Sequence, residues 1–129
     1  MTSSFAALRR LDAGKGERIP TLDVLVKEGD VVRLGTVEAQ VIDVPAHTAG
    51  HIAYHFEGEH AAFVGDTLFM PDYGTARTDF PGGDAATLYR SIQKILALPR
   101  STRIFVGHDY LPPGRSVFRW ETTVAEQRA

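Results

Sequence analysis

Three times along this chain an apolar segment that reads as a strand runs straight into a short polar cluster. The clusters are Val44-Pro45-Ala46-His47-Thr48, Phe63-Val64-Gly65-Asp66-Thr67 and Phe105-Val106-Gly107-His108-Asp109. Loops at one end of the strands of a helix-flanked sheet converge on a common crevice, so residues distant in sequence meet there. Two imidazoles and a carboxylate are therefore candidates to meet a metal ion in one place. Gly65 and Gly107 remove side chains beside those candidates, which lets the backbone turn sharply and come close to an ion.

The rest of the pattern suits an α/β domain. Residues 22–26, 30–34 and 37–44 read as short strands, with Glu28-Gly29-Asp30 and Gly35-Thr36 as turns. Residues 51–56 and 61–64 form a second hairpin around Glu57-Gly58-Glu59, and residues 71–83 are a Gly-, Pro- and Asp-rich loop long enough to be functional. Asp84 is placed to cap a helix over residues 85–98, where Leu88, Ile92, Ile95 and Leu96 share an apolar face and Pro99 follows the end. Residues 103–106 are a short strand, and residues 117–129 an amphipathic segment that reads as the start of a helix. Residues 1–20, interrupted by Gly14, Gly16 and Pro20, are expected to form a loose lead-in to one domain over residues 21–129.

A chain of 129 residues with 43% hydrophobic residues can build a single core. Its 14 basic and 16 acidic residues form no long run of one sign, which gives no electrostatic support for binding nucleic acid or a membrane surface. With no cysteine, His, Asp and Glu are the only plausible metal ligands, and a cytoplasmic location is expected. The start of the chain carries no long apolar stretch of the signal-peptide kind, and no run is long enough to span a membrane.

His51 and His55 have the i, i+4 spacing of a helical zinc motif, but Ile52 stands where the general-base Glu belongs and the segment alternates as a strand does. His51, His55 and His60 are accordingly read as structural. Asp72, Asp79 and Asp84 lie in a polar loop, where solvation or capping explains an acidic side chain.

The segments PAHTAGH, GDTLF and GHDY, in that order and after strands, resemble the metallo-β-lactamase superfamily, specifically its glyoxalase II and persulfide dioxygenase branch. The resemblance implies a partial αββα sandwich, a mixed sheet flanked by helices, of which residues 21–129 are the C-terminal half. It implies that His47, Asp66 and His108 bind metal, with Asp66 as the catalytic carboxylate that bridges two ions or caps one. HTAGHIAYHF with GDTLF looks like glyoxalase II, which hydrolyses glutathione thioesters through a metal-activated hydroxide, with one or two zinc ions as cofactor. GTARTDF, TLYRSI and HDY look more like persulfide dioxygenases, which use a single Fe(II); His47 and Asp66 would then be two of three iron ligands.

In either case the implied partner is a small-molecule glutathione conjugate with Tyr110 beside it; Arg77 would help to place the glutathione moiety in the hydrolase, and Arg77 and Asp79 would be loop residues shaping the site in the dioxygenase. No histidine precedes His47, so the upstream His-x-His-x-Asp-His motif of the family has no counterpart here. Two further expectations follow. The chain works with a complementary half-domain or as a homodimer, or it is a non-catalytic, truncated domain acting in self-association or partner binding.

Overall fold

A computed structural model describes residues 12–14, 24–78 and 84–129. Its main sheet has six strands: β3 (Val31–Leu34), β4 (Val37–Asp43), β5 (Ile52–Phe56), β6 (Ala61–Gly65), β7 (Arg103–Val106) and β8 (Glu121–Thr123), side by side in that order. Neighbouring strands are antiparallel everywhere except at β6 and β7, which are parallel. A parallel pair needs a crossover connection, and helix α1 (Ala85–Leu96) supplies it. A separate two-stranded parallel sheet joins β1 (Asp12–Gly14) to β2 (Val24–Val26). β1 falls within the stretch expected as a lead-in; its pairing depends on a partner ten and more residues away, which local pattern does not reveal.

The strand alternation sorts side chains onto two faces. On one, Ala53, Ala62 and Ile104 pack with Val44, Val64 and Leu68 against Ile95 of α1 and Val124 of the C-terminal helix α2 (Val124–Arg128). On the other, Tyr54, Phe63 and Phe105 lie in register on three adjacent strands. Phe63 stacks on Phe105 at 4.8 Å between ring centroids and remains half-exposed. The observed architecture is thus the expected mixed sheet with helices on one face.

Helix α1 begins where expected. The Asp84 carboxylate accepts the Thr87 amide at 3.0 Å, satisfying one of the orphan donors of the first turn. It ends at Leu96 rather than Leu98, because a residue preceding proline, here Leu98 before Pro99, is pushed out of the helical region. The C-terminal segment also differs from its expectation. Residues 121–123 pair with Arg103–Phe105 as β8, and only then does Thr123 cap α2 by accepting the Glu126 amide. The sheet edge offered by β7 outweighs the helical periodicity of a segment containing two β-branched threonines.

Candidate metal centre

Strand direction brings the three polar clusters together. β4 and β6 are each antiparallel to β5, and β7 is parallel to β6, so β4, β6 and β7 all end at the same edge of the sheet. The loops carrying His47, Asp66 and His108 leave from that edge. A register irregularity between Phe63 and Gly65 at the end of β6 re-aims the chain just before Asp66, as bulges near functional sites do.

Asp66 is the centre of the arrangement. Its Oδ1 meets His108 Nδ1 at 2.5 Å, and its Oδ2 lies 3.5 Å from His47 Nε2. One carboxylate therefore faces an imidazole through each oxygen. Asp66 and His47 are largely enclosed, whereas the His108 ring is 60% exposed. Ala46, the residue before His47, has φ +119°, a strained value for a residue with a β-carbon and of the kind that functional loops hold.

Two glycines make this approach sterically possible. A β-carbon on Gly107 would lie 2.8 Å from Asp66 Oδ1 and about as close to the Gly65 backbone. One on Gly65, whose φ is +57°, would lie 2.7 Å from the His51 ring. His51 therefore packs beside Asp66, in keeping with its structural reading. It precedes β5, and its Nε2 lies 3.2 Å from the Val64 carbonyl and 3.3 Å from the Asp66 amide, donating to one or accepting from the other according to tautomer. Its ring also meets that of His47 edge-on at 5.5 Å. The available sequence signal was its place directly before the first apolar position of β5, at the mouth where the other clusters open. His55 and His60 keep their structural roles: His55 is buried in β5, and His60 closes a turn with φ +52°.

Side chains from behind hold the loops in place. Ser91 of α1 donates to the Pro45 carbonyl at 2.7 Å, tying down the His47 loop, and Gln127 of α2 donates to the Phe69 carbonyl at 2.8 Å. In front of the donors, His47, Phe69, Tyr73, Thr75, Arg77 and Tyr110 line a cavity of about 260 Å³. Tyr110 and Arg77 thus reach the same pocket, while Asp79 lies outside the described residues. Sequence reasoning also missed Arg115, which pairs with Asp72 and Asp109. The Arg115 guanidinium holds both carboxyls below the usual range, Asp109 most strongly, with the Arg119 and Leu111 amides adding to the effect there.

The donor types fit zinc or iron, and the space opened by Gly107 fits a carboxylate reached from both sides. Their number does not close a site: among the described residues no group of three or more His, Asp or Glu is gathered tightly enough to hold one ion. His47 and His108 instead stand on opposite oxygens of the one Asp66 carboxylate. Among the same residues, no helix is long and apolar enough to cross a membrane.

Imidazole and carboxylate side chains thus follow three co-directed strands of one mixed sheet. A family model described as the metallo-beta-lactamase superfamily matches residues 2–108, and the chain belongs to that superfamily. A probable metallo-hydrolase of Burkholderia pseudomallei is 49% identical over 113 residues, covering 81% of this chain and 38% of that protein. A hydroxyacylglutathione hydrolase of Methylococcus capsulatus is 43% identical over 98 residues, covering 76% of this chain and 37% of its own length. The crystal structure of ETHE1 from Myxococcus xanthus superposes with a TM-score of 0.79 at 32% identity, over 99% of this chain and 54% of that one. The chain thus spans well under half the length of the two curated relatives.

Proposed function

We propose that residues 21–129 are the C-terminal half of a glyoxalase II-like hydrolase acting on glutathione thioesters. The observation that carries this reading is Asp66 set between His47 and His108, one imidazole to each carboxylate oxygen. The likeness to a hydroxyacylglutathione hydrolase supports the substrate class. His47 and Asp66 would serve one ion and Asp66 and His108 another, with zinc the cofactor. When bound, the metal supplies Lewis-acid polarisation of the thioester carbonyl and lowers the pKa of the attacking water.

The chain's own residues bind and orient. Phe69, Tyr73 and Tyr110 present ring faces and edges to the apolar part of the substrate, and Arg77 offers a guanidinium to a glutathione carboxylate. Asp79, two positions further along the sequence, is assigned to shaping the site. Asp66, hydrogen-bonded to His108, fixes the orientation of that ring. The remaining ligands are assigned to the part of the relatives' length that this chain does not span.

A second reading is favoured by the superposition of 99% of this chain on 54% of ETHE1. It is an Fe(II)-dependent persulfide dioxygenase in which His47 and Asp66 are iron ligands and His108 lies outside the first coordination sphere. The test joins this chain, in one polypeptide, to the part of the Burkholderia pseudomallei relative it does not match. Loss of an S-acylglutathione and oxygen uptake with glutathione persulfide are followed with zinc or Fe(II). Zinc-dependent thioester cleavage that disappears in Asp66→Ala is the expected result. Oxygen uptake with iron alone supports the dioxygenase, and neither activity in a folded, metal-loaded protein leaves the non-catalytic reading.

A further inference from the structure

Asp72 and Asp109 each stand directly before a tyrosine, and one guanidinium holds both. Arg115 Nε and Nη2 donate to Asp72 at 2.7 and 3.1 Å, and Nη1 and Nη2 donate to Asp109 at 2.6 and 2.7 Å. Nη1 also donates to the Val117 carbonyl at 2.9 Å. All five N–H groups of the arginine are thereby used. The Asp109 carboxylate in turn accepts the amides of Leu111 at 3.2 Å and Arg119 at 2.8 Å, so the loop between β7 and β8 is wrapped around it. Leu111 has φ +49°, a left-handed conformation that this wrapping holds in place.

The tyrosines that follow the two aspartates meet each other. Tyr73 and Tyr110 lie 5.1 Å apart between ring centroids, each edge-on to Phe69, and Tyr110 lies against His108. These rings are the aromatic wall of the cavity beside His47. The Arg115 and Asp109 side chains are largely enclosed and Asp72 is half-exposed, and all three stand in loops outside the sheet strands, so the network ties two loops together.

We infer that Arg115 is the positioning residue of this pocket: by clamping both Asp-Tyr pairs, it sets the gap between Tyr73 and Tyr110 and with it the fit of the substrate. A paired guanidinium fixes angle as well as distance, because its donors are coplanar and rigid. A lysine at this position offers three donors from a single point and cannot reproduce the clamp. The inference rests on the cavity being the substrate pocket of the proposed function, but its test does not depend on turnover.

The test is amide hydrogen exchange on the full chain, comparing wild type with Arg115→Lys and Arg115→Ala. Residues 70–77 and 108–119 are expected to exchange about tenfold faster or more in both variants, with β4 to β7 unchanged. Should Arg115→Ala fail to fold, Arg115→Lys decides alone. Unchanged exchange in the two loops overturns the inference, and so does an equal rise throughout the strands, which marks a general stabiliser. S-methylglutathione binding is measured alongside, with about tenfold weaker affinity expected in Arg115→Lys. Equal affinity in wild type and variant overturns the positioning role. No binding to wild type, with the two loops selectively loosened in the variants, overturns the glutathione reading while the clamp stands.

Discussion

The His51 imidazole occupies the space that a side chain at position 65 would need, with its ring atoms 2.7 Å from where a β-carbon on Gly65 would stand. The residue before Asp66 and the residue before β5 are thereby matched across the sheet. Gly65→Ala must both push the ring away and hold φ near +57° with a β-carbon present. The conformational cost alone is about 1–2 kcal/mol. We expect a loss of at least that size in chemical denaturation, and a displaced Asp66 backbone. A variant as stable as wild type would show that the two residues are not packed as described.

Ser91→Ala leaves the Pro45 carbonyl without its buried donor, at a cost of about 1–3 kcal/mol. Because the bond ties α1 to the His47 loop, the loss should appear as faster amide exchange over residues 44–50 as well as a lower melting temperature. Lower stability without loosening of that loop would reduce Ser91 to a packing residue.

His55 makes stability depend on pH. Burial lowers its pKa below the usual 6.5, an effect partly opposed by the nearby Glu57 carboxylate. The unfolded chain therefore takes up a proton at higher pH than the folded one. The contribution is fully present above about pH 6.5 and is lost as pH falls from there through the folded value. Wild type should accordingly lose more stability between pH 7.5 and 5.5 than His55→Gln. Identical pH profiles would contradict the assignment of His55 as a neutral core histidine.

Ile104, fully buried between α1 and the sheet, carries the packing that holds β7 beside β6. Ile104→Ala is expected to cost about 2–5 kcal/mol, measured by urea denaturation. A much smaller loss would mean that the core re-forms around the change.

Strands and helix α1 were legible because their signals are local: period-two alternation in residues 37–43, and Asp84 before a 3.6-residue apolar pattern closed by Pro99. The convergence of His47, Asp66 and His108 at one sheet edge was legible too, since each directly follows an apolar run. What escaped depends on partners distant in the chain. The place of His51 beside Asp66 depends on Gly65, two strand ends away, which leaves room for its ring. Arg115 reads as a surface residue until the fold brings Asp72, 43 positions earlier, beside it. The short strand at residues 121–123 exists because β7 presents an edge, which no window of that segment contains.

Asp66 is proposed as a carboxylate shared by two metal half-sites, and zinc binding by this chain joined to the unmatched part of the Burkholderia pseudomallei relative tests that role most directly. Titration calorimetry of the joined protein, purified without chelator, should show zinc bound and affinity about tenfold lower or worse in Asp66→Asn, a loss of about 1.4 kcal/mol. His47→Ala and His108→Ala should each weaken binding less than Asp66→Asn, because each leaves one half-site intact. Zinc binding that is unchanged in Asp66→Asn, or absent from the folded joined protein, would contradict the central role given to Asp66.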